Sequence, residues 1–253
     1  MQKACFMNKS LNCAVALVSA ALAATSAHAA DRILGIDVSS GQGSINWADV
    51  YANGVTFAYI HAVTGAGSVD PDFTNNILNA KAAGLQAGAY QFSDLYADTP
   101  AEEANYFWKH AGAYIKGDGK SISPAIAFEV FDGYDGASSY TAWFNDWSVD
   151  IKAKTSDFMH PVIYVDACSG ACDLTTGIGL AAWVASYNGQ DPYTGSPWGD
   201  CDACNAWDPN GTGGWSFWQF SDTGAIEGIS GDVDFDIFNG DLAQLKSGFG
   251  VGD

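Results

Sequence analysis

Short apolar runs and amphipathic stretches alternate along this chain from Ile33 to Phe238. That alternation is its strongest constraint, because a buried strand followed by a helix, repeated, builds a parallel sheet covered by helices. The runs Ile33–Val38, Val55–Val63, Leu85–Phe92, Ala125–Phe131, Pro161–Val165, Leu180–Ser186, Trp215–Phe220 and Val233–Phe238 read as strands. Asn46–Asn53, Pro71–Ala83, the segment opened by Thr99-Pro100, and Tyr140–Lys154 read as helices. Thr99 suits a cap and Pro100 a first helical position. The segment 189–214 is rich in Gly, Pro, Asp and Asn and reads as a long loop. With no linker and no long repeat, the expectation is one α/β domain over 31–246, an irregular, TIM-like (β/α) barrel, with 247–253 as a short tail. A doubly wound open sheet is the runner-up. It is disfavoured because no glycine-rich phosphate loop follows the first strand.

The amino terminus reads as an address. Lys3 and Lys9 precede an apolar run from Cys13 to Ala24, followed by Ala27-His28-Ala29. A basic start, a short apolar core and a small-x-small site describe a signal peptide over 1–29. The run is shorter than the ~20 residues that a membrane span needs. A secreted or periplasmic product with no membrane attachment after cleavage is therefore expected. Export bears on Cys168, Cys172, Cys201 and Cys204, which in an oxidising compartment read as two disulfides. Local closure (168–172, 201–204) and cross-loop pairing both remain open. A four-thiolate zinc site is the rival reading, and no metal site is assigned.

Charge narrows the partners. Lys and Arg total 10 against 29 Asp and Glu, a formal charge of −19. Nucleic acid and anionic lipid both require a basic surface, so neither is expected as a partner. An apolar fraction of 48% separates the chain from disordered acidic tails.

In barrels, chemistry gathers at the carboxyl ends of strands. The polar residues expected there are Asp37, His61, Gln91, Glu129, Asp166, Tyr187, Gln219 and Asp234. A ring of acids among aromatics suits glycosidic bond cleavage: one carboxyl protonates the leaving oxygen and another stabilises or attacks the oxocarbenium-like centre. Asp37 and Asp234 could equally cap turns. Glu129 stands out, because a carboxylate between Ala125-Ile126-Ala127-Phe128 and Val130-Phe131 is costly unless used or paired. His61 reads as a hydrogen-bonded structural histidine.

The order of the motifs resembles glycoside hydrolase family 25, the Chalaropsis-type lysozymes. The likeness runs through Gly35-Ile36-Asp37-Val38-Ser39, Ile45-Asn46-Trp47, Asp70-Pro71, Gly88-Ala89-Tyr90, Pro161-Val162-Ile163-Tyr164, Phe217-Trp218-Gln219-Phe220-Ser221 and Val233-Asp234, and covers about residues 33–240. The resemblance implies an irregular β/α barrel that hydrolyses the β-1,4 bond from N-acetylmuramic acid to N-acetylglucosamine in peptidoglycan. It places catalytic residues at Asp37, Glu129 (the general acid) and Asp234. Tyr90, Gln91, Tyr164, Tyr187, Trp218 and Gln219 are the candidate substrate-binding residues. No cofactor is implied, and a monomer acting on peptidoglycan glycan strands is expected.

Three positions depart from the family pattern. The family's Asp-x-Glu pair reads Ala127-Phe128-Glu129, so the carboxylate thought to orient or charge-stabilise the substrate's acetamido group is missing. Its Arg-Ala-Thr-Glu-Gly reads His61-Ala62-Val63-Thr64-Gly65, and Ser40-Gly41 follows the first strand where an aromatic or His is common. Two readings follow. Either the chain is a muramidase in which Asp166 or Asp37 compensates for Ala127, or it is a catalytically impaired relative that binds wall glycans.

Overall fold

A computed structural model describes residues 31–129, 137–155, 159–199, 206–207 and 214–252. The signal peptide, Val130, Phe131, Cys201 and Cys204 lie outside the described residues.

The alternation yields β1 (Ile33–Val38), α1 (Trp47–Ala52), β2 (Phe57–Thr64), β3 (Ser68–Val69), α2 (Phe73–Ala83), β4 (Gln86–Phe92), α3 (Pro100–Ala111), β5 (Ala125–Phe128), α4 (Ala137–Ala153), β6 (Val162–Asp166), β7 (Ala181–Ala185), β8 (Phe217–Gly224), β9 (Val233–Phe238) and α5 (Leu242–Phe249). Side-chain caps start several helices. Asn46 accepts from Ala48 N and Asp49 N, and Thr99 forms a capping box with Glu102. Strand order is β1-β9-β8-β7-β6-β5-β4-β2-β3, and β1 also pairs with β2. That pairing closes a single-domain barrel, with the short β3 appended to β2.

The alternation predicts a parallel sheet, and the sheet is instead mixed. β9 runs antiparallel to both β1 and β8. Among the described residues no helix follows β6 or β7, so the eightfold strand–helix repeat of a TIM barrel is only partly kept.

Alternating side chains separate two apolar layers. Ile36, Val38, Ile60, Ile126, Ile163, Val184 and Ile237 point outward against the helices. Phe57, Tyr59, Val162, Trp183, Phe217 and Phe238 fill the barrel. Glycine makes room for the largest of these: a Cβ at Gly35 would run into the Phe57 ring, and one at Gly88 into Tyr59. On α2, Phe73, Ile77 and Ala80 are buried while Leu78 is exposed.

The expected tail at 247–253 is instead partly barrel floor. Ser247–Phe249 complete α5, whose start is capped by Asp241 with Gln244. The Phe249 ring lies 5.0 Å from Phe217 and 5.8 Å from Phe238, and its carbonyl accepts from Ser123 N at 2.7 Å. Val251 N donates to Ser121 O at 3.0 Å. These contacts of the partly buried Phe249, with the two backbone hydrogen bonds, hold the chain against the barrel beyond 247.

Candidate active site

Aromatic rings of Phe217, Phe238 and Phe249 pack at one end of the barrel, and a cleft opens at the opposite rim. This cleft of about 210 Å³ is lined by Asp37, Tyr90, Phe92, Ala127, Glu129, Tyr164, Trp183, Tyr187, Gln219, Asp222 and Asp234. The parallel strands present their last inward residues to it: Asp37 on β1, Tyr90 and Phe92 on β4, Ala127 on β5 and Tyr164 on β6. Glu129 stands just past the end of β5, at the rim. Asp234 arrives differently. It is the second residue of its strand, and it reaches the same rim because β9 runs backwards, opposite Asp37 in register.

Gln219 ties the walls together. Its Nε2 donates to Asp37 Oδ2 at 2.8 Å, and its Oε1 accepts from Tyr164 OH at 2.8 Å and Tyr187 OH at 2.7 Å. Behind Asp37 lies Asp236, fully buried, whose Oδ1 accepts from Trp183 Nε1 at 2.7 Å. Tyr59 and Trp183 stack beneath, 4.7 Å apart.

Burial of this many acids without a base among them moves their protons. Burial, then the Asp234 charge, pushes Asp37 well above the usual carboxylate range. Burial, then Asp37, does the same to Asp236. Asp234 is raised to about 6, first by burial and further by Asp222, against a hydrogen bond with Asp37 that lowers it. Glu129 is raised by burial and then by Asp234. The rim therefore holds a carboxyl inclined to keep its proton beside others that compete for the remaining charge. Acid chemistry on a bound oxygen needs such an arrangement.

The structure brings Asp37, Glu129, Asp234, Tyr90, Tyr164, Tyr187 and Gln219 to one cleft. Three expected residues are not there. Gln91 points outward from β4 and is fully buried. It donates to Gly65 O at 3.2 Å and Glu103 Oε2 at 2.8 Å and accepts from Trp147 Nε1 at 3.2 Å. Trp218 likewise faces the helix layer, its Nε1 donating to Ser186 O at 2.7 Å. Asp166 does not line the cleft with Ala127. Its Oδ1 accepts from Cys168 N, Ser169 N and Ser169 Oγ at 2.8–2.9 Å, capping the turn after β6. His61 is held as a structural residue, with Nδ1 3.2 Å from Asp70 Oδ2 and Nε2 3.0 Å from Val63 O.

Phe92, Trp183, Asp222 and Asp236 were missed. The strand period could have found Asp236, which shares a face with Asp234, and Phe92, which shares one with Tyr90. Among the described residues no group of His, Cys, Asp and Glu is placed to hold a metal ion.

A family model described as glycosyl hydrolases family 25 matches residues 36–229. Lysozyme M1 of Streptomyces globisporus is 35% identical over 229 residues, covering 84% of this chain and 70% of its own. The N,O-diacetylmuramidase of Chalaropsis sp is 28% identical, covering 85% of this chain and 97% of its own. The crystal structure of a bacterial lysozyme from Streptomyces coelicolor superposes with a TM-score of 0.70 at 33% identity, over 84% of this chain and 94% of that one.

Proposed function

The chain belongs to glycosyl hydrolase family 25, and from that premise we propose that it is a secreted or periplasmic muramidase. Its substrate is the β-1,4 bond between N-acetylmuramic acid and N-acetylglucosamine in peptidoglycan. Glu129 is the general acid, protonating the leaving oxygen. Asp37 and Asp234 face the reacting sugar from the opposite wall, and Tyr90, Tyr164, Tyr187 and Gln219 hold it. The observation that carries the reading is the position of Glu129: a carboxyl with a raised pKa at the rim of a cleft that also holds Asp37, Asp234 and five aromatic rings. Aromatic faces pack against sugar rings, and a protonated carboxyl beside an ionisable pair is the equipment of glycoside hydrolysis.

The reading includes a monomer that uses no cofactor. It also includes two disulfides among Cys168, Cys172, Cys201 and Cys204, as expected of an exported chain. Attachment to a membrane is not part of it; among the described residues no helix is long and apolar enough to cross one.

Purified mature protein should clear a cell-wall suspension and release reducing ends. Glu129→Gln should abolish both while leaving pull-down by insoluble peptidoglycan intact. Absence of turnover by the wild-type protein on any peptidoglycan would overturn the reading. Ala127 supports a second one, binding without hydrolysis, in which Glu129→Gln changes nothing.

A further inference from the structure

The cleft has a carboxylate that strand periodicity hides. On β8, Phe217 and Gln219 face the barrel interior, so strict alternation would send Ser221 inward and Asp222 outward with Trp218 and Phe220. The ladder with β9 is broken at this point. Gln219 pairs with Asp236 and Ser221 with Phe235, two residues on β8 against one on β9, and a second shift follows before Gly224 pairs with Val233. The first extra residue reverses the parity. Ser221 then shares the outer face with Phe235, and Asp222 falls on the inner face beside Asp234. Asp222 accordingly lines the cleft together with Gln219, although the two are three positions apart. Bulges beside active sites commonly re-aim a side chain in this way. Its charge is felt by the groups there: after burial it raises Tyr187 first, and it raises Asp234 as well.

The same cleft lacks the acid that the family pattern places at Ala127. We infer that Asp222 is the carboxylate that faces the substrate's acetamido group in this protein, standing in for the side chain missing at position 127. This rests on the muramidase reading above. The acetamido carbonyl oxygen bonds to C1 as the C1–O bond to the leaving sugar breaks, and the leaving oxygen takes the Glu129 proton. The acetamido nitrogen thereby gains positive charge, which Asp222 offsets. Water then adds at C1 and returns a proton to Glu129, and the acetamido group is restored.

Because Asp222 is exposed, Asp222→Asn should leave the melting midpoint unchanged. It should lower kcat on peptidoglycan by about 10²-fold, the scale for losing one preorganised charge at a reacting centre, with KM moving by less than about threefold. Ala127→Asp added to Asp222→Asn should restore kcat to within about tenfold of wild type. The inference is overturned if Asp222→Asn turns over at the wild-type rate, or if the double variant is no faster than Asp222→Asn. A wild-type protein with no turnover overturns the muramidase reading as well. A wild-type protein that is active and indifferent to Asp222→Asn overturns this inference alone.

Discussion

Asp37 on β1 and Asp234 on β9 sit directly opposite each other on the antiparallel β1–β9 ladder. Two carboxyls at that spacing, one fully buried, cannot both ionise freely, so they titrate as a unit. Glu129 feels the outcome, because Asp234 is the charge that raises it. Asp234 is raised to about 6 and carries its charge above that pH. Removing that charge favours ionised Glu129, so Asp234→Asn should lower the Glu129 pKa. A carboxyl ¹³C titration should show the Glu129 transition displaced to lower pH in the variant. An unmoved transition would mean that the two groups do not interact.

Gln219 bridges the acid and the aromatic wall by donating to Asp37 and accepting from Tyr164 and Tyr187. Gln219→Met keeps the volume but strands Asp37 and Tyr164, each at a cost of about 1–3 kcal/mol, while the half-exposed Tyr187 hydroxyl turns to water. A kcat loss of about 10–100-fold with a rise in KM is expected, since these residues both orient Asp37 and line the cleft that holds the sugar. Tyr187→Phe removes a single hydrogen bond from a half-exposed ring, so its effect on kcat should be several-fold smaller. Equal losses from the two variants would contradict a bridging role.

Much of this architecture can be read from local pattern. The strands were found because apolar runs of four to eight residues stand out, and α3 because Thr99, Pro100 and Glu102 spell a cap. The direction of β9 could not be read. A six-residue run carries no sign of its polarity, and only tertiary pairing makes Asp234 a rim residue. The misplaced side chains have a simpler cause. Tyr90 with Gln91, and Trp218 with Gln219, are sequence neighbours on strands, so the members of each pair must face opposite sides. Tyr90 and Gln219 are inward, which sends Gln91 and Trp218 outward. Asp222 escaped for the opposite reason, because a bulge broke the rule that would have placed it.

Asp166 separates structural from chemical acids. Its side chain satisfies two backbone N–H groups and the Ser169 hydroxyl in the turn after β6. Asp166→Ala should lower stability by about 1 kcal/mol, as for loss of a helix cap, and leave kcat within about twofold of wild type. A tenfold fall in kcat would return Asp166 to the candidate catalytic set.

Glu103 governs stability from behind the cleft. It is fully buried on α3, accepting from Gln91 Nε2 at 2.8 Å and from Asp94 N at 2.5 Å. Burial, with the charges of Asp98 and Asp94, raises it to about 8 against the hydrogen bond from Asp94. An unfolded chain releases that proton near the ordinary value of about 4.3. Between those two values the folded state holds a proton that the unfolded state has lost, so folding weakens as pH rises. The contribution is fully present below about pH 4 and gone above the folded value, with a span of a few kcal/mol. Asp37 and Asp236, raised in the same direction, add to the trend. The thermal midpoint should fall steadily from pH 5 to pH 8. Glu103→Gln, which cannot ionise, should show a shallower fall over that window even if its midpoint at pH 5 is lower than wild type. Parallel curves for the two proteins would place the Glu103 pKa in the ordinary range and assign the slope to the rim acids.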